Sequence, residues 1–465
     1  MAYSYEEKER IFIKRTQEMY PDVWKDYLEL IAREKMSVEE LHTYNFNKRK
    51  ETLKYAYENT RFYKNFYDTI GLHPDDIKNE NDWDSVPVVT KQMVREHYSD
   101  MIVGGLEGEY LRKYGRAFNT GGSTGKPLLV YNDRRFTMPG CEWRARGWWL
   151  GRKPGELEST IPVLGQNEGW VWRVNGAGSL TREQIEKNKK LFWPMERFYL
   201  DAHVMGEDEV RRFSKDVAES GIYYLYGYAG AIFELACYYA DGKVKRKFQP
   251  KMIETAATPL TTAQRRFVEQ VFDCPAYDMY GSMEASWMAI ETPRTIGKDR
   301  LFVPSDLRHI DVVDEVGASC ALGCEGTVCV TIFTNHVMPF VKYSLGDRAS
   351  MLGEGDGGLP FPIISRIKGR ETDYLIDRDG LKVFGMNGSF DAVASSVRAY
   401  QFVQKSPGVV VMKVVPDRSS PSFNEDIHSV LTYWRQRLIG RIEFHLEIVE
   451  SIPHDGGKIR FIVYE

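Results

Sequence analysis

Residues 118–131 form a glycine-rich stretch that reads Phe118-Asn119-Thr120-Gly121-Gly122-Ser123-Thr124-Gly125-Lys126-Pro127-Leu128-Leu129-Val130-Tyr131. Its glycines allow the backbone to turn several N–H groups toward one anion, and the hydroxyls and the lysine add donors and a positive charge. This combination suits a polyphosphate. Because Leu128 to Tyr131 has the composition of a strand, we predict a phosphate-binding loop between two strands.

Two other motifs overlap with this stretch, and both require a different context. A kinase-type Walker loop ends in Gly-Lys-Ser/Thr at the start of a helix, whereas here Thr120 occupies the first glycine position and Pro127 follows the lysine. The run 121–125 also matches the G-x-S-x-G elbow of serine hydrolases, which lies between a strand and a helix. The strand predicted after the loop disfavours both motifs. A flexible turn without function is the remaining alternative.

Composition limits the class of protein. The chain has 465 residues, of which 43% are hydrophobic and 28% charged, so we expect a globular protein with one large and one smaller domain. A net charge of −4 disfavours binding to nucleic acid or to a membrane surface. The N-terminus lacks the apolar core of a signal peptide, and no apolar run is long enough to span a bilayer. These features predict a cytoplasmic protein.

The cysteine pattern predicts reduced thiols and no zinc site. Structural zinc sites draw their ligands from closely spaced Cys and His pairs. The nearest two of the six cysteines, Cys320 and Cys324, lie in glycine-rich sequence without a further Cys or His cluster.

Helical and strand-like segments alternate from Tyr114 onward, which predicts a layered α/β domain. The amphipathic helical segments are 181–190, 207–220 and 262–272. A polar, glycine-rich stretch at 353–358 is expected to separate two strand-like segments.

The C-terminal part has the pattern of a small α+β domain. It contains a strand-like run at 409–415, a helical run at 424–438 and another strand-like run at 443–449. Asp379-Gly380, between apolar runs, predicts a hairpin turn. We place the boundary near 369–373, which divides the chain into domains 1–369 and 370–465.

The glycine-rich loop resembles the phosphate-binding loop of adenylate-forming enzymes, in particular the branch of phenylacetate–coenzyme A ligases and capsule-biosynthesis relatives. Residues 61–67 and 86–91 look like the N-terminal region of that branch. The resemblance implies an α/β fold with a large layered N-terminal nucleotide- and acyl-binding domain and a small mobile α+β C-terminal domain. Within the loop it implies nucleotide binding by Ser123, Thr124 and Gly125 and a catalytic role for Lys126.

A second motif is similar to the family's Tyr-Gly-x-x-Glu segment and reads Asp278-Met279-Tyr280-Gly281-Ser282-Met283-Glu284. Tyr280 offers a flat apolar face for adenine, Gly281 permits close backbone approach, and Glu284 supplies a hard oxygen for Mg²⁺. By resemblance, Thr124 shares the metal, and Asp278, Ser282 and Met283 also contact the nucleotide. Taken alone, Tyr-Gly is usually a turn and the glutamate a solvated carboxylate.

A third motif, Lys342 to Arg348, looks like the family's ribose-binding segment. A carboxylate can accept hydrogen bonds from both ribose hydroxyls, and we assign this role to Asp347. The alternative is a helix or turn cap.

The stretch 366–373 is similar to the hinge between the two domains of the family, with Arg370 reaching the ribose or a phosphate. The sequence departs from the family pattern here, because Thr372 occupies the usual hinge position and Asp373 follows it. A surface charge cluster is the competing interpretation.

The segment 452–461 resembles the family's C-terminal Gly-Lys motif, whose lysine bridges the substrate carboxylate and the α-phosphate. The resemblance assigns this catalytic role to Lys458. A positioned cation matters because two anions must meet before the bond forms. Without the resemblance, a lysine near a terminus is simply solvated.

The acyl pocket is expected to be aromatic. Residues 223–230 and 255–258 resemble the family's pocket-wall and adenine-side strands, which assigns acyl contacts to Tyr228 and Gly230 and nucleotide contacts to Ala257 and Thr258. Trp143, Trp148 and Trp149 follow the phosphate loop and add to the aromatic content. The alternative is that these aromatic residues fill the core.

These features predict an ATP- and Mg²⁺-dependent ligase that converts a carboxylic acid to an acyl-adenylate, releases pyrophosphate and transfers the acyl group to coenzyme A. The same adenylation followed by transfer to an amine or a carrier protein is the alternative. A nucleotide-binding scaffold without activity and a serine hydrolase are further hypotheses from other classes. The oligomeric state is open, with a homodimer among the options.

Overall fold

Helices fill most of the N-terminal part of the chain in the computed structural model. They span Tyr5–Met19, Pro21–Arg33, Val38–Asn59, Arg61–Ile70, Lys91–Glu96, Glu109–Tyr114 and Pro139–Trp149. Ser37 and Glu40 form a capping box at the start of the third helix, and Gly71 ends the fourth with a φ of 72°. Thr60 separates the third helix from the fourth, and its side chain accepts a hydrogen bond from the Tyr63 amide.

The structure describes residues 3–119, 128–135, 139–159, 161–172, 183, 193–202, 204–356, 358–368, 374–383, 396–417, 420–438, 440–453 and 460–465. Four predicted features lie wholly or largely outside these ranges: the loop 120–127, the helix 181–190 apart from residue 183, the hinge 369–373 and the motif residues 454–459. Within the described ranges, no helix combines the length and the apolar character that a bilayer crossing requires.

Two compact units contain the chain. The first, called the parallel-sheet unit, consists of Met1–Phe12, Gly165–Asp278 and Lys368–Glu465. The second, called the antiparallel-sheet unit, consists of Ile13–Leu164 and Met279–Ile367. The functional division into domains 1–369 and 370–465 stays a prediction.

The parallel-sheet unit is a layered α/β structure. Its strands are β3 (Glu168–Trp172), β4 (Arg197–Asp201), β5 (Tyr224–Tyr228), β6 (Met252–Ala256) and the first residues of β7 (Ala276–Ser282), all parallel, in the order β7-β6-β5-β3-β4. The helices Glu207–Ser220, Ala229–Ala240 and Thr262–Phe272 cover one face, where they pack on Val171, Leu200, Leu225 and Ile253. Two of the predicted helices, 207–220 and 262–272, are confirmed, because their apolar residues recur at helical spacing and meet this core.

The antiparallel-sheet unit contains the end of β7 and six further strands. These are β8 (Ser286–Ile290), β9 (Leu301–Phe302), β10 (Arg308–Val313), β11 (Glu325–Ile332), β12 (Tyr343–Asp356) and β13 (Leu359–Ile364), in the order β10-β11-β12-β13-β9-β8-β7. A separate hairpin pairs β1 (Gly115–Asn119) with β2 (Leu129–Asp133). The N-terminal helices pack on this unit through a core that includes Leu53, Tyr63 and Val330.

One expectation about this unit is confirmed in part. The glycine-rich stretch 353–358 separates two strands, since β12 ends at Asp356 and β13 begins at Leu359, but its first four residues belong to β12 and pair with β13. The pairing shifts register twice, and Gly353 and Gly355 have φ angles of 127° and 64°. Gly353 and Gly355 therefore bend the last part of β12 before the strand ends.

The C-terminal segment is the predicted small α+β structure. Strands β14 (Leu375–Ile376) and β15 (Lys382–Val383) form the predicted hairpin, with Gly380 at a φ of 80°. Strands β16 (Val397–Ser406), β17 (Val409–Pro416), β18 (Glu443–Ile448) and β19 (Ile462–Tyr464) form a sheet in the order β18-β17-β16-β19. The helix Phe423–Arg437 packs on this sheet through Ile427, Val430 and Trp434.

A buried ion pair ties the helices of the antiparallel-sheet unit to its strands. The Arg144 guanidinium donates to both oxygens of Asp306, at 2.7 and 3.0 Å, and Arg33 donates to the same carboxylate at 3.1 Å. The side chains of Arg144 and Asp306 are 1% and 0% exposed. Burial alone would raise the pKa of Asp306, but the charges of Arg144 and Arg33 outweigh it and hold the pKa below its usual range.

Replacement of Asp306 by Ala should reduce the free energy of unfolding by about 3–5 kcal/mol, because the buried Arg144 guanidinium loses its counter-ion. Urea denaturation at pH 7 would measure this loss. Since the pKa of Asp306 is lower in the folded state, the stabilisation is present above the unfolded pKa of about 3.9 and is lost as the pH falls through the folded value.

The control for this variant is Glu18→Ala, which removes the exposed pair between Lys14 and Glu18. Water and salt screen such a pair, so no measurable change is expected. An Asp306→Ala protein with the stability of Glu18→Ala would contradict the assignment of the buried pair.

Candidate nucleotide and acyl site

The stretch 120–127, predicted to be a phosphate loop, is flanked in the sequence by two paired strands, as predicted. Strands β1 and β2 are antiparallel, and Asn119 is paired with Leu129 across the intervening stretch. The chain continues along β2, and the next described helix begins only at Pro139. A Walker loop or a nucleophile elbow needs a helix directly after the glycines, so neither context is present. The side chains predicted in the loop, Ser123, Thr124, Gly125 and Lys126, lie outside the described residues.

The second strand of this hairpin is joined to the Tyr280–Glu284 segment. The Asn132 side-chain amide donates to the Met283 carbonyl at 3.0 Å. Asn335 donates to the Tyr131 carbonyl at 2.8 Å, and its own oxygen accepts from two backbone amides at 3.2 Å. The strand that leaves the phosphate loop therefore lies beside the second motif. No sequence pattern pointed to either asparagine.

The Tyr280–Glu284 segment forms a tight turn between β7 and β8. A Cβ atom at Gly281 would lie 2.4 Å from the Ser286 carbonyl oxygen, so only glycine fits. The Ser282 hydroxyl accepts a hydrogen bond from the Ala285 amide at 3.1 Å, while Met283 is 40% exposed. Gly281 and Ser282 thus shape the turn, and their contacts with a nucleotide stay predictions.

The second and third motifs meet through two tyrosine–carboxylate hydrogen bonds. Each motif contains a tyrosine and, four positions later, an acid: Tyr280 with Glu284, and Tyr343 with Asp347. Tyr280 donates to Asp347 at 2.7 Å, and Tyr343 donates to Glu284 at 3.3 Å. Each tyrosine therefore binds the acid of the other motif. Asp347 lies within β12, which argues against a helix-cap role.

The electrostatics of this cluster favour a bound cation. Glu284 and Asp347 are each only 7% exposed. Burial and the nearby charge of Glu284 raise the pKa of Tyr343 well above its usual value, so its hydroxyl keeps its proton and remains a donor. Among the described residues, the Tyr343 hydroxyl is the only hydrogen-bond donor to the Glu284 carboxylate, which leaves its second oxygen available for a hard cation.

A cation at Glu284 needs further ligands. Within the described part of the chain, no group of three or more His, Cys, Asp or Glu side chains is arranged to hold a metal. Mg²⁺ commonly binds one or two carboxylates together with substrate phosphates and water. Glu284 beside the phosphate-loop hairpin fits that mode.

In the parallel-sheet unit, the other predicted residues gather at the carboxyl ends of the strands. Tyr228 ends β5, Ala257 and Thr258 follow β6, and Asp278 is paired at the end of the β6–β7 ladder. This edge is where open parallel sheets bind ligands. Gly230 lies in the first turn of the helix that follows β5.

Asp278 stabilises a loop at this edge of the sheet. Its carboxylate accepts from the Thr255 hydroxyl at 3.0 Å and from the Leu260 amide at 3.2 Å, so it holds both ends of the loop that contains Ala257 and Thr258. Ala257 is exposed and has a φ of 72°, which is unusual for a residue with a Cβ atom. Such outliers concentrate at ligand-binding sites.

Stacked aromatic rings connect β3 with β5. Tyr228 stacks on Trp172 with ring centroids 3.9 Å apart, and Trp172 stacks on Tyr226 at 5.1 Å. Trp170 meets Tyr226 edge-on at 4.7 Å. The sequence analysis did not identify Trp170 and Trp172 as candidates. The side chains of β3 point alternately to the two faces of the sheet, but this pattern does not tell which neighbouring strand supplies the aromatic rings that contact them.

The tryptophans named from sequence have a packing role. Trp148 donates to Glu34 at 2.9 Å, and Trp149 donates to the Glu291 carbonyl at 2.7 Å. Both are almost fully buried, and Trp143 packs edge-on against Tyr27. These contacts favour the alternative given above, that such residues fill the core.

The described site residues thus form two groups. Tyr280, Gly281, Ser282, Met283, Glu284 and Asp347 come together in the antiparallel-sheet unit, and Tyr228, Gly230, Ala257, Thr258 and Asp278 in the parallel-sheet unit. Arg370, Thr372, Asp373 and Lys458 lie outside the described residues, like the side chains of the phosphate loop.

The known proteins that this chain resembles are Protein CapK and phenylacetate-coenzyme A ligases. Residues 375–465 match the family described as the CapK C-terminal domain. The chain is 25% identical to Protein CapK of Staphylococcus aureus over 98% of this chain and 95% of that protein. It is 26% identical to the phenylacetate-coenzyme A ligase of Escherichia coli (strain K12), with 76% of each chain covered. The corresponding ligase of Aromatoleum evansii is 25% identical over 76% of this chain and 75% of its own.

Solved structures agree on the fold. The 2-hydroxyisobutyryl-CoA ligase in its postadenylation state, in complex with R3-HIB-AMP, matches with a TM-score of 0.70 and 18% identity over 93% of this chain and 91% of that chain. The chain therefore has the fold of a ligase solved with an acyl-adenylate, and over most of its length it is similar to phenylacetate–coenzyme A ligases and to Protein CapK.

Proposed function

We propose that this enzyme activates a carboxylic acid with Mg²⁺·ATP, releases pyrophosphate and transfers the acyl group from the adenylate to coenzyme A. The observation that carries the proposal is the pair of crossed tyrosine–carboxylate bonds beside the hairpin of the phosphate loop. They present one buried acid for ribose and one for a metal. Relatives named phenylacetate-coenzyme A ligase and a ligase of the same fold solved with 2-HIB-AMP and CoA support the acceptor.

In the first step, a carboxylate oxygen attacks the α-phosphorus of ATP in line, and pyrophosphate leaves. The substrate is already ionised, so positioning and charge stabilisation carry the rate. The loop with Lys126 binds phosphates, Asp347 accepts from the ribose hydroxyls, and Lys458 offsets the repulsion between the carboxylate and the α-phosphate. Mg²⁺, held by Glu284 with Thr124, would neutralise charge on the leaving pyrophosphate.

In the second step, the thiol of coenzyme A attacks the acyl carbon. The carbon–sulfur bond forms as the bond to the AMP oxygen breaks, and the thiol proton leaves to solvent. Lys458 would occupy the path of the acceptor during the first step, so the C-terminal domain has to rotate about the hinge at Thr372 or Asp373.

The alternative function keeps the adenylation step and changes the acceptor to an amine or a carrier protein. It is favoured by the match to Protein CapK over 98% of the chain and by the CapK C-terminal domain at 375–465. Neither name refers to coenzyme A.

Pyrophosphate release from ATP, measured across a panel of aryl, fatty and amino acids with and without coenzyme A, tests the proposal. We expect acid-dependent pyrophosphate release and, when coenzyme A is added, a thioester. Pyrophosphate without a thioester would favour the alternative acceptor. Complete absence of acid-dependent pyrophosphate release would refute the adenylation step itself.

Lys458→Ala should lower pyrophosphate release by on the order of 10²–10³-fold, because the lysine acts on charge that meets in the transition state. ATP binding, followed by calorimetry, should survive. The control is Lys405→Ala, an exposed lysine of the C-terminal segment that pairs with Glu465. Unchanged turnover in Lys458→Ala would contradict the catalytic role assigned to Lys458.

Tyr228→Ala should change which acid is preferred, because the ring stacked on Trp172 limits the space at the end of β5. We expect the ratio of kcat/KM for a larger acid over a smaller one to rise by at least about fivefold. Tyr433→Ala, at an exposed position, serves as the control. Equal ratios in all three proteins would show that Tyr228 does not line the acyl pocket.

A further inference from the structure

We infer that Tyr343 and Tyr280 are positioning residues, each of which aims the acid of the other motif at one end of the nucleotide. Tyr343 orients Glu284 toward the metal and phosphates, and Tyr280 orients Asp347 toward the ribose. This inference rests on the proposed function and deepens it.

The geometry at Glu284 supports a positioning role for Tyr343. A glutamate side chain has several rotatable bonds, and here the Tyr343 hydroxyl is the only hydrogen-bond donor to its carboxylate among the described residues. Removal of that hydroxyl would leave the carboxylate free to rotate. Groups that orient a metal ligand in this way commonly affect metal affinity.

Tyr343 is itself held rigidly, as a positioning residue must be. It is 1% exposed, and its ring packs on Phe340 with centroids 4.7 Å apart. Val89 fixes the backbone on both sides of Tyr343. Its amide donates to the Lys342 carbonyl at 3.0 Å, and its carbonyl accepts from the Ser344 amide at 2.9 Å.

These bonds give the segment 86–91 a role that sequence analysis did not supply. Lys342 has a φ of 45°, a left-handed conformation that residues with a Cβ atom rarely adopt. Its amide donates to the Thr331 hydroxyl at 2.9 Å, so Val89 and Thr331 together hold the unfavourable backbone in place. The bend directs the next side chain, Tyr343, at Glu284. Local strain that the surrounding structure maintains is typical of functional sites.

Tyr280 orients Asp347 at the ribose end of the nucleotide. Its hydroxyl lies 2.7 Å from Asp347, a short charge-assisted hydrogen bond. Because the two bonds run in opposite directions between the motifs, loss of one hydroxyl should affect one end of the nucleotide and spare the other. This separation distinguishes positioning from a general loss of stability.

The test compares ATP binding by calorimetry in the wild type, Tyr343→Phe and Tyr280→Phe, with magnesium chloride titrated and with 2′-deoxy-ATP as a second ligand. Tyr343→Phe should raise the Mg²⁺ concentration for half-maximal ATP binding by about tenfold and leave the ratio of ATP to 2′-deoxy-ATP affinity unchanged. Tyr280→Phe should lower that ratio by about fivefold and leave the Mg²⁺ midpoint unchanged.

Tyr67→Phe is the matched control, because it removes a buried hydroxyl that has no hydrogen-bond partner among the described residues. Neither readout should change in this variant. In a Glu284→Gln background, Tyr343→Phe should shift the Mg²⁺ midpoint by less than about twofold, since the tyrosine acts through that carboxylate.

The outcomes separate the inference from the proposed function. A wild type that does not bind ATP in the presence of Mg²⁺ would refute the proposed function. A wild type that binds, with both Phe variants retaining its midpoint and ratio, would overturn only the positioning role. Should Tyr343→Phe not fold, the two readouts on Tyr280→Phe decide by themselves.

Discussion

Two buried carboxylates set the main constraint on this protein. Glu284 and Asp347 are each 7% exposed, and in the proposed reaction they bind a nucleotide that carries the same sign of charge. A buried acid must be neutralised, paired or hydrogen-bonded. Here the Tyr343 hydroxyl donates a hydrogen bond to Glu284, and the Tyr280 hydroxyl donates one to Asp347.

The rest of the antiparallel-sheet unit supports this arrangement. Asn132 joins the hairpin of the phosphate loop to the Met283 carbonyl, and Val89 fixes the backbone around Tyr343. Gly281 allows β8 to approach so closely that the turn before Glu284 can close. The residues that prepare the site are thus spread from position 89 to position 347, far beyond the motifs themselves.

Much of the local structure was predictable. The helices Glu207–Ser220 and Thr262–Phe272 begin and end where their apolar spacing does, and Asp379-Gly380 forms the expected turn. The stretch 353–358 contains the predicted break between two strands, but its first glycines lie within β12, because glycine marks both a strand end and a bend within a strand. Trp172 and Asn132 escaped notice, since each acts through a partner distant in sequence.

By itself, the sequence determined the layered α/β character, the strand–loop–strand context of the phosphate loop and the identity of the two acids, because periodicity, turn chemistry and motif order are local properties. Only the tertiary structure decided that Tyr280 binds Asp347 and Tyr343 binds Glu284, and that Trp172 rather than Trp148 stacks on Tyr228. A hydrogen bond or a ring contact depends on which strands become neighbours. That pairing is set by burial over the whole sheet and is not encoded in any short segment.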